Sequence, residues 1–413
     1  MIGGIVACAA QPPWLGAQPD GFRVIRARPG VARLRGSDVT PVRGFDGTVP
    51  GPVLRVKRGE EIKARLLNEL VTDMTVHWHG VRLPNAMDGV AGLTQSAIGP
   101  GESFDYRFAP PDAGTFWYRA HVRTIEDRAL YGLLLVDETQ PVAVDRDASL
   151  ILDAWTLGAD GRLAADGAPH FTVNGLPSMD IPVSANERIR LRLLNAARDR
   201  LITVRIDRHA AIVMAIDGQP AEPFAARDAR VALSPGNRID LFVDAALGPE
   251  STAPIFLGLD ERELPIARLI YGPGLGPRSA ILPDPKPLPA NPLPQRMNFA
   301  SAIKLDISLD DARHRQTGGG FGRPLFTTTP RQTVMIAFKN PTDRAHAVHL
   351  HGHHVRLLDA MDDGWKPFWL DTILAPPQRT TRVAFIADNR GKWLLESEGL
   401  GTGAGIRTWF EVR

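Results

Sequence analysis

The stretch EEIKARLLN, Glu60 to Asn68, decides how the chain is read, because it returns as ERIRLRLLN, Glu187 to Asn195. A weaker third copy, VMIAFKN, runs from Val334 to Asn340. Side chains alternate along each copy with the period of a strand, and the closing asparagine is a turn residue. The asparagines lie 127 and 145 residues apart, the spacing of whole domains and not of a solenoid repeat. Three tandem β domains follow, at about 20–140, 141–272 and 301–413, with residues 1–19 ahead of them. Between the second and third, residues 273–300 form an extended, semi-rigid linker with eight prolines from Pro273 to Pro294.

The composition agrees with this reading. Across 413 residues there are 35 prolines and 39 glycines, and few stretches show helical periodicity, so the fold class is all-β with many turns. A net charge of +2 with no block of like charges points to neither a nucleic-acid nor a polyanion partner, leaving a protein or a small ligand. No apolar run reaches membrane-spanning length. Cys8 is the single cysteine, so no intrachain disulfide forms. It sits in MIGGIVACAAQPP, which reads either as the tail of an export signal or as a disordered cytoplasmic N-terminus. On the first reading the protein is periplasmic or otherwise exported, with Cys8 as a possible lipid-attachment residue.

The copies stay in step beyond the asparagine. Nine residues on come His77-Trp78-His79-Gly80 in the first and His349-Leu350-His351-Gly352 in the third, but Val204-Arg205-Ile206 in the second. Residues i and i+2 of a strand project to one side, so each pair of imidazoles points together. If the first and third domains meet face to face, the two pairs make a metal site suited to copper, zinc, iron or nickel. Of His353 and His354, one is expected to face solvent and the other to pack. His314, in the glycine-rich segment 311–323, is expected to be solvated. Trp365, Phe368 and Trp369 either line a groove or pack in the core.

Together VHWHGVRLPNAMDGVAGLTQ, AGTFWYRAH, DGQPAEPF, HAVHLHGHH and ADNRGKWLL resemble the three-domain multicopper oxidases (laccases, bilirubin oxidases and cuprous oxidases) from about residue 40 onward. The resemblance implies three cupredoxin-like Greek-key β-barrels, a trinuclear copper cluster between the first and third, and a blue copper in the third. Carried over by position, His77 and His349 match the pair that holds the type 2 copper. One type 3 copper would lie at His121, His351 and Glu396, and the other at His79, Arg119 and Glu398. The blue copper would need His346, a cysteine where Ser397 stands, and a histidine near Thr402.

Independently of that alignment, a blue copper centre requires a thiolate, and Cys8 lies far from this segment. The cofactor expectation is therefore no metal or one residual ion (copper, zinc or iron), not four coppers. A guanidinium about 4 Å from a copper ion would repel each unit of its charge by roughly 4 kcal/mol at an effective dielectric of 20. Arg119 and Glu398 are accordingly expected to form an ion pair in place of the lost copper, the alternative being that both reach solvent. His121, His351 and Glu396 form either a two-histidine, one-carboxylate metal site or a relic polar cluster. Two functions stay open: a pseudo-oxidase kept as a binding scaffold, or a metal-binding oxidoreductase using the residual site.

Overall fold

Where the sequence repeats, the chain repeats a strand arrangement. The computed structural model describes residues 20–36, 38–121, 125–259, 262–274, 276–311, 321–358, 365–401 and 405–413; Cys8, His314 and Thr402 lie outside them. Within these residues six sheets form three two-sheet sandwiches, spanning the strands from Arg23 to Asp137, from Arg146 to Tyr271 and from Ile303 to Val412. In each sandwich the opening strand runs parallel to the strand that ends in the repeated asparagine. These pairs are Arg23–Ala32 with Ile62–Asn68, Arg146–Thr156 with Arg188–Asn195, and Ile303–Ser308 with Gln332–Asn340. The opposite sheet of each holds a second parallel pair. A parallel neighbour cannot be reached by a hairpin, so the chain crosses between sheets in the Greek-key manner of a cupredoxin-like barrel.

The three asparagines do the same work. Asn68 Nδ2 donates to the carbonyls of Thr72 and Ile98, and its Oδ1 accepts from the Leu70 amide. Asn195 bridges Arg200, Leu233 and Ala197 in this way, and Asn340 bridges Arg344, Ala375 and Thr342. All three are buried, so each satisfies backbone groups that water cannot reach.

Apolar residues of the first and third domains share one core: Val76, Trp78 and Leu83 belong to the same cluster as Leu350, Trp393 and Phe410. The second domain has a core of its own. Between Tyr271 and Ile303 no strand occurs among the described residues, and Asn291 ties this segment to Ala113 and Gln219. Phe368 and Trp369 pack inward, Phe368 against the shared core and Trp369 under the Arg356 guanidinium at 4.8 Å from its ring centre.

One fully buried arginine joins all three domains. Arg238 Nε donates to the Thr115 carbonyl of the first domain at 3.1 Å. Its two terminal nitrogens fork onto the Asp371 carboxylate of the third, Nη1 to Oδ1 at 2.9 Å. Asp217 of the second domain accepts from the amides of Asp371 and Thr372. Gly80, the glycine of the first HxHG motif, lies against this fork at φ +82°, and a Cβ there would come within 2.3 Å of both partners.

Asn195→Ala should lower unfolding stability by about 2–4 kcal/mol, because buried backbone groups lose their partners; urea denaturation that leaves the midpoint unmoved would contradict the role assigned to it. Arg238→Met should cost more, about 3–5 kcal/mol, since it leaves the Asp371 carboxylate buried without its cation. The same denaturation series checks the ranking.

Candidate metal centre at the seam of the first and third domains

His77 and His79 lie on the strand Val76–His79, and His349 on His346–Leu350, with His351 just past its end. All four are buried where the two domains meet. His77 Nδ1 donates to the Asp88 carbonyl at 3.0 Å, and His349 Nδ1 to the Asp371 carbonyl at 2.9 Å. A carbonyl can only accept, so both protons sit on Nδ1 and both Nε2 atoms carry bare lone pairs. Those two Nε2 atoms face each other at 3.1 Å. Burial holds both imidazoles below their usual pKa, so neither readily takes the proton that would turn this contact into a hydrogen bond. Two opposed lone pairs repel, and a cation between them removes the conflict. Nδ1 anchored on a carbonyl with Nε2 free is also the usual posture of metal-binding histidine. The pair fits a metal ion.

Around it the fit weakens. His79 Nε2 is 2.8 Å from Thr372 Oγ1 and 3.3 Å from Asp371 Oδ1, and its Nδ1 is buried with no hydrogen-bond partner. His351 Nδ1 is held by Asp88 Oδ2 at 3.0 Å, while its Nε2 stands 3.7 Å from Glu396 Oε1. Burial pushes the His351 pKa down, but the Asp88 and Glu396 carboxylates outweigh it and the net shift is upward. His121 Nε2 is buried without a partner. Donor atoms of three groups come within 4.8 Å of one another: His77, His349 and His351; His79, His349 and Asp371; and His121, His351 and Glu396.

The expected pairing of Arg119 with Glu398 is corrected here. Arg119 Nη2 binds Glu396 Oε1 at 2.7 Å, and Glu398 faces Arg198 of the second domain at 3.9 Å. Register explains the exchange. Arg119 stands opposite His77 on its sheet and Glu396 opposite His349 on the other, so the contact between the two histidines brings Arg119 level with Glu396. Glu398 stands opposite Ala347, one pleat further along. An open pocket of about 420 Å³ of empty space, lined in part by His79, Trp117, Arg119, Arg198, Glu396 and Glu398, lies at the junction of the three domains.

At the blue-copper position Ser397 Oγ is 3.4 Å from His346 Nδ1 and accepts from the Ile406 amide at 3.1 Å. A hydroxyl with those partners cannot serve as a thiolate, so the residues present do not fit that copper. The expectation that His353 or His354 faces solvent is also corrected, since both are buried. His353 packs among Phe385, Trp393 and Phe410, and His354 lies 3.6 Å from Asp371 Oδ2. The strand that follows them pairs inside the third domain and carries both inward.

Sequence reasoning missed the residues that hold the histidines: Asp88, Asp371, Thr372 and Arg238. A carboxylate beside a ligating histidine is a general expectation, but no spacing points to these two, which reach the site from separate loops.

Three multicopper oxidase family models match residues 28–141, 146–251 and 292–404. The multicopper oxidase MmcO of Mycobacterium tuberculosis is 30% identical, over 95% of this chain and 90% of that protein. Among solved structures, Lac15 from a marine microbial metagenome is 32% identical with a TM-score of 0.83, covering 94% of this chain and 99% of its own. A multicopper oxidase from Pseudomonas thermotolerans is 29% identical with a TM-score of 0.85, covering 95% and 99%. On this full-length likeness, its three matched segments and its three cupredoxin-like barrels, the chain belongs to the multicopper oxidase family.

Proposed function

We propose that this protein has left laccase-type turnover and works as an exported binding scaffold that keeps one metal ion, between His77 and His349. The observation that carries the reading is the Ser397 hydroxyl facing His346, where electron entry from a donor would need a thiolate. With the usual entry point gone, four-electron reduction of oxygen has no supply. The relatives are named as oxidases, so the proposal is one of divergence within the family.

At the seam, the chain's own residues orient the pair. Asp88 and Asp371 fix the two Nδ1 protons through their carbonyls, and His349 also lines the open pocket at the junction of the three domains, which leaves that side of the pair within reach from outside. Copper bound there would supply Lewis acidity or one-electron chemistry. Export is part of the same proposal, supported by the apolar, small-residue segment before residue 20. No helix among the described residues is long and apolar enough to cross a membrane. A second reading, an oxidoreductase with a two-ion site, is favoured by the grouping of His121, His351 and Glu396.

Protein purified from copper-supplemented cells should contain one ion per chain, lose it in His77→Ala and His349→Ala, show no intense blue thiolate-to-copper band, and consume no oxygen with a phenol. Elemental analysis, visible and EPR spectra, and an oxygen electrode read these directly. A blue band, or phenol-dependent oxygen uptake, would sink the proposal.

A further inference from the structure

The group formed by His121, His351 and Glu396 has the donors of a second metal site, and a guanidinium already stands against its carboxylate. Glu396 Oε1 is the carboxylate oxygen nearest His351 Nε2, at 3.7 Å, and the same atom is the acceptor for Arg119 Nη2 at 2.7 Å. The other oxygen, Oε2, lies 3.5 Å from Arg407 Nε. His121 Nε2 and His351 Nε2 remain buried without hydrogen-bond partners. An ion bound there through either carboxylate oxygen would sit beside a fixed positive charge, and through Oε1 it would compete with the guanidinium directly. The side chains of Arg119 and Glu396 are both 11% exposed, so water screens that repulsion poorly.

We infer that Arg119 determines the metal count of this protein: its guanidinium occupies the cation position beside Glu396 and keeps the His121–His351–Glu396 group from taking an ion. The inference rests on the one-ion reading proposed above and extends it, because it names the residue that stops the seam at one. Arg119 acts here through Glu396 and is a specificity-determining residue, not a catalytic one. Removing the charge while keeping a polar side chain of similar reach should open the second site; keeping the charge should not.

The test is metal stoichiometry of the full chain. Wild type, Arg119→Gln, Arg119→Lys and the double variant Arg119→Gln/Glu396→Gln are stripped with a chelator, titrated with cobalt(II) and followed by its visible bands, with bound metal counted after gel filtration. The expected counts are one ion for wild type, two for Arg119→Gln, one for Arg119→Lys and one for the double variant. Arg119→Gln remaining at one ion, or wild type taking two, overturns the inference. Wild type taking none overturns instead the one-ion reading on which it rests, so the two failures are distinct. If Arg119→Gln does not fold, His121→Ala in wild type gives a second arm: it should leave the count at one, and a loss of the ion would show that this group already holds it.

Discussion

The fork between Arg238 and Asp371 is the contact on which the seam depends. Asp371 accepts from Arg238 with its carboxylate, holds His349 with its carbonyl and stands beside His79 and His354. Burial would push this carboxyl up, but the Arg238 guanidinium keeps it well below the usual range, so it stays an anion although buried. Its neighbour Asp217, also buried and facing Asp371, is driven the other way, to about 7. The guanidinium forks onto Asp371 and stands 3.5 Å from Asp217, whose carboxyl accepts amide hydrogens. Among the described residues the second domain contributes no imidazole to the groups that could hold a metal, yet it supplies the cation that fixes the others' geometry.

A layered economy of charge runs along the same seam. Arg238 serves Asp371, Arg119 serves Glu396, and Arg198 reaches toward Glu398, each pair crossing from one domain to another. The two buried pairs, Arg238 with Asp371 and Arg119 with Glu396, contribute little net stability against an apolar packing of equal volume, because both members must be desolvated. What they impose is register: a one-residue slip of the strand Gly391–Gly399 would set Glu396 against the apolar core and leave Arg119 without its partner.

Much of this was legible in the chain, and the parts that were not share a cause. The repeated strands could be read because alternation and a closing asparagine are local signals, and the three asparagines turn out to make the same three bonds. His77, His79, His349 and His351 could be read because i and i+2 project together on any strand. The partner of Arg119 could not be read. Alternation puts Glu396 and Glu398 on one face, and only the pairing of two sheets from different domains decides which is level with Arg119. Asp88 and His351 are separated by 263 residues, and nothing near either announces the other. The burial of His353 and His354 was hidden likewise, by a chain path that only the third sandwich reveals.

His77 and His349 are 272 residues apart, and each is fixed by a carbonyl from its own domain. During synthesis the first sandwich can close long before the strand bearing His349 leaves the ribosome, since domains fold as units from the N-terminus. Until then His77 presents a single bare nitrogen, a weak and indiscriminate ligand. An ion held between the two histidines, as proposed above, would therefore be taken up only once the third domain has docked on the first.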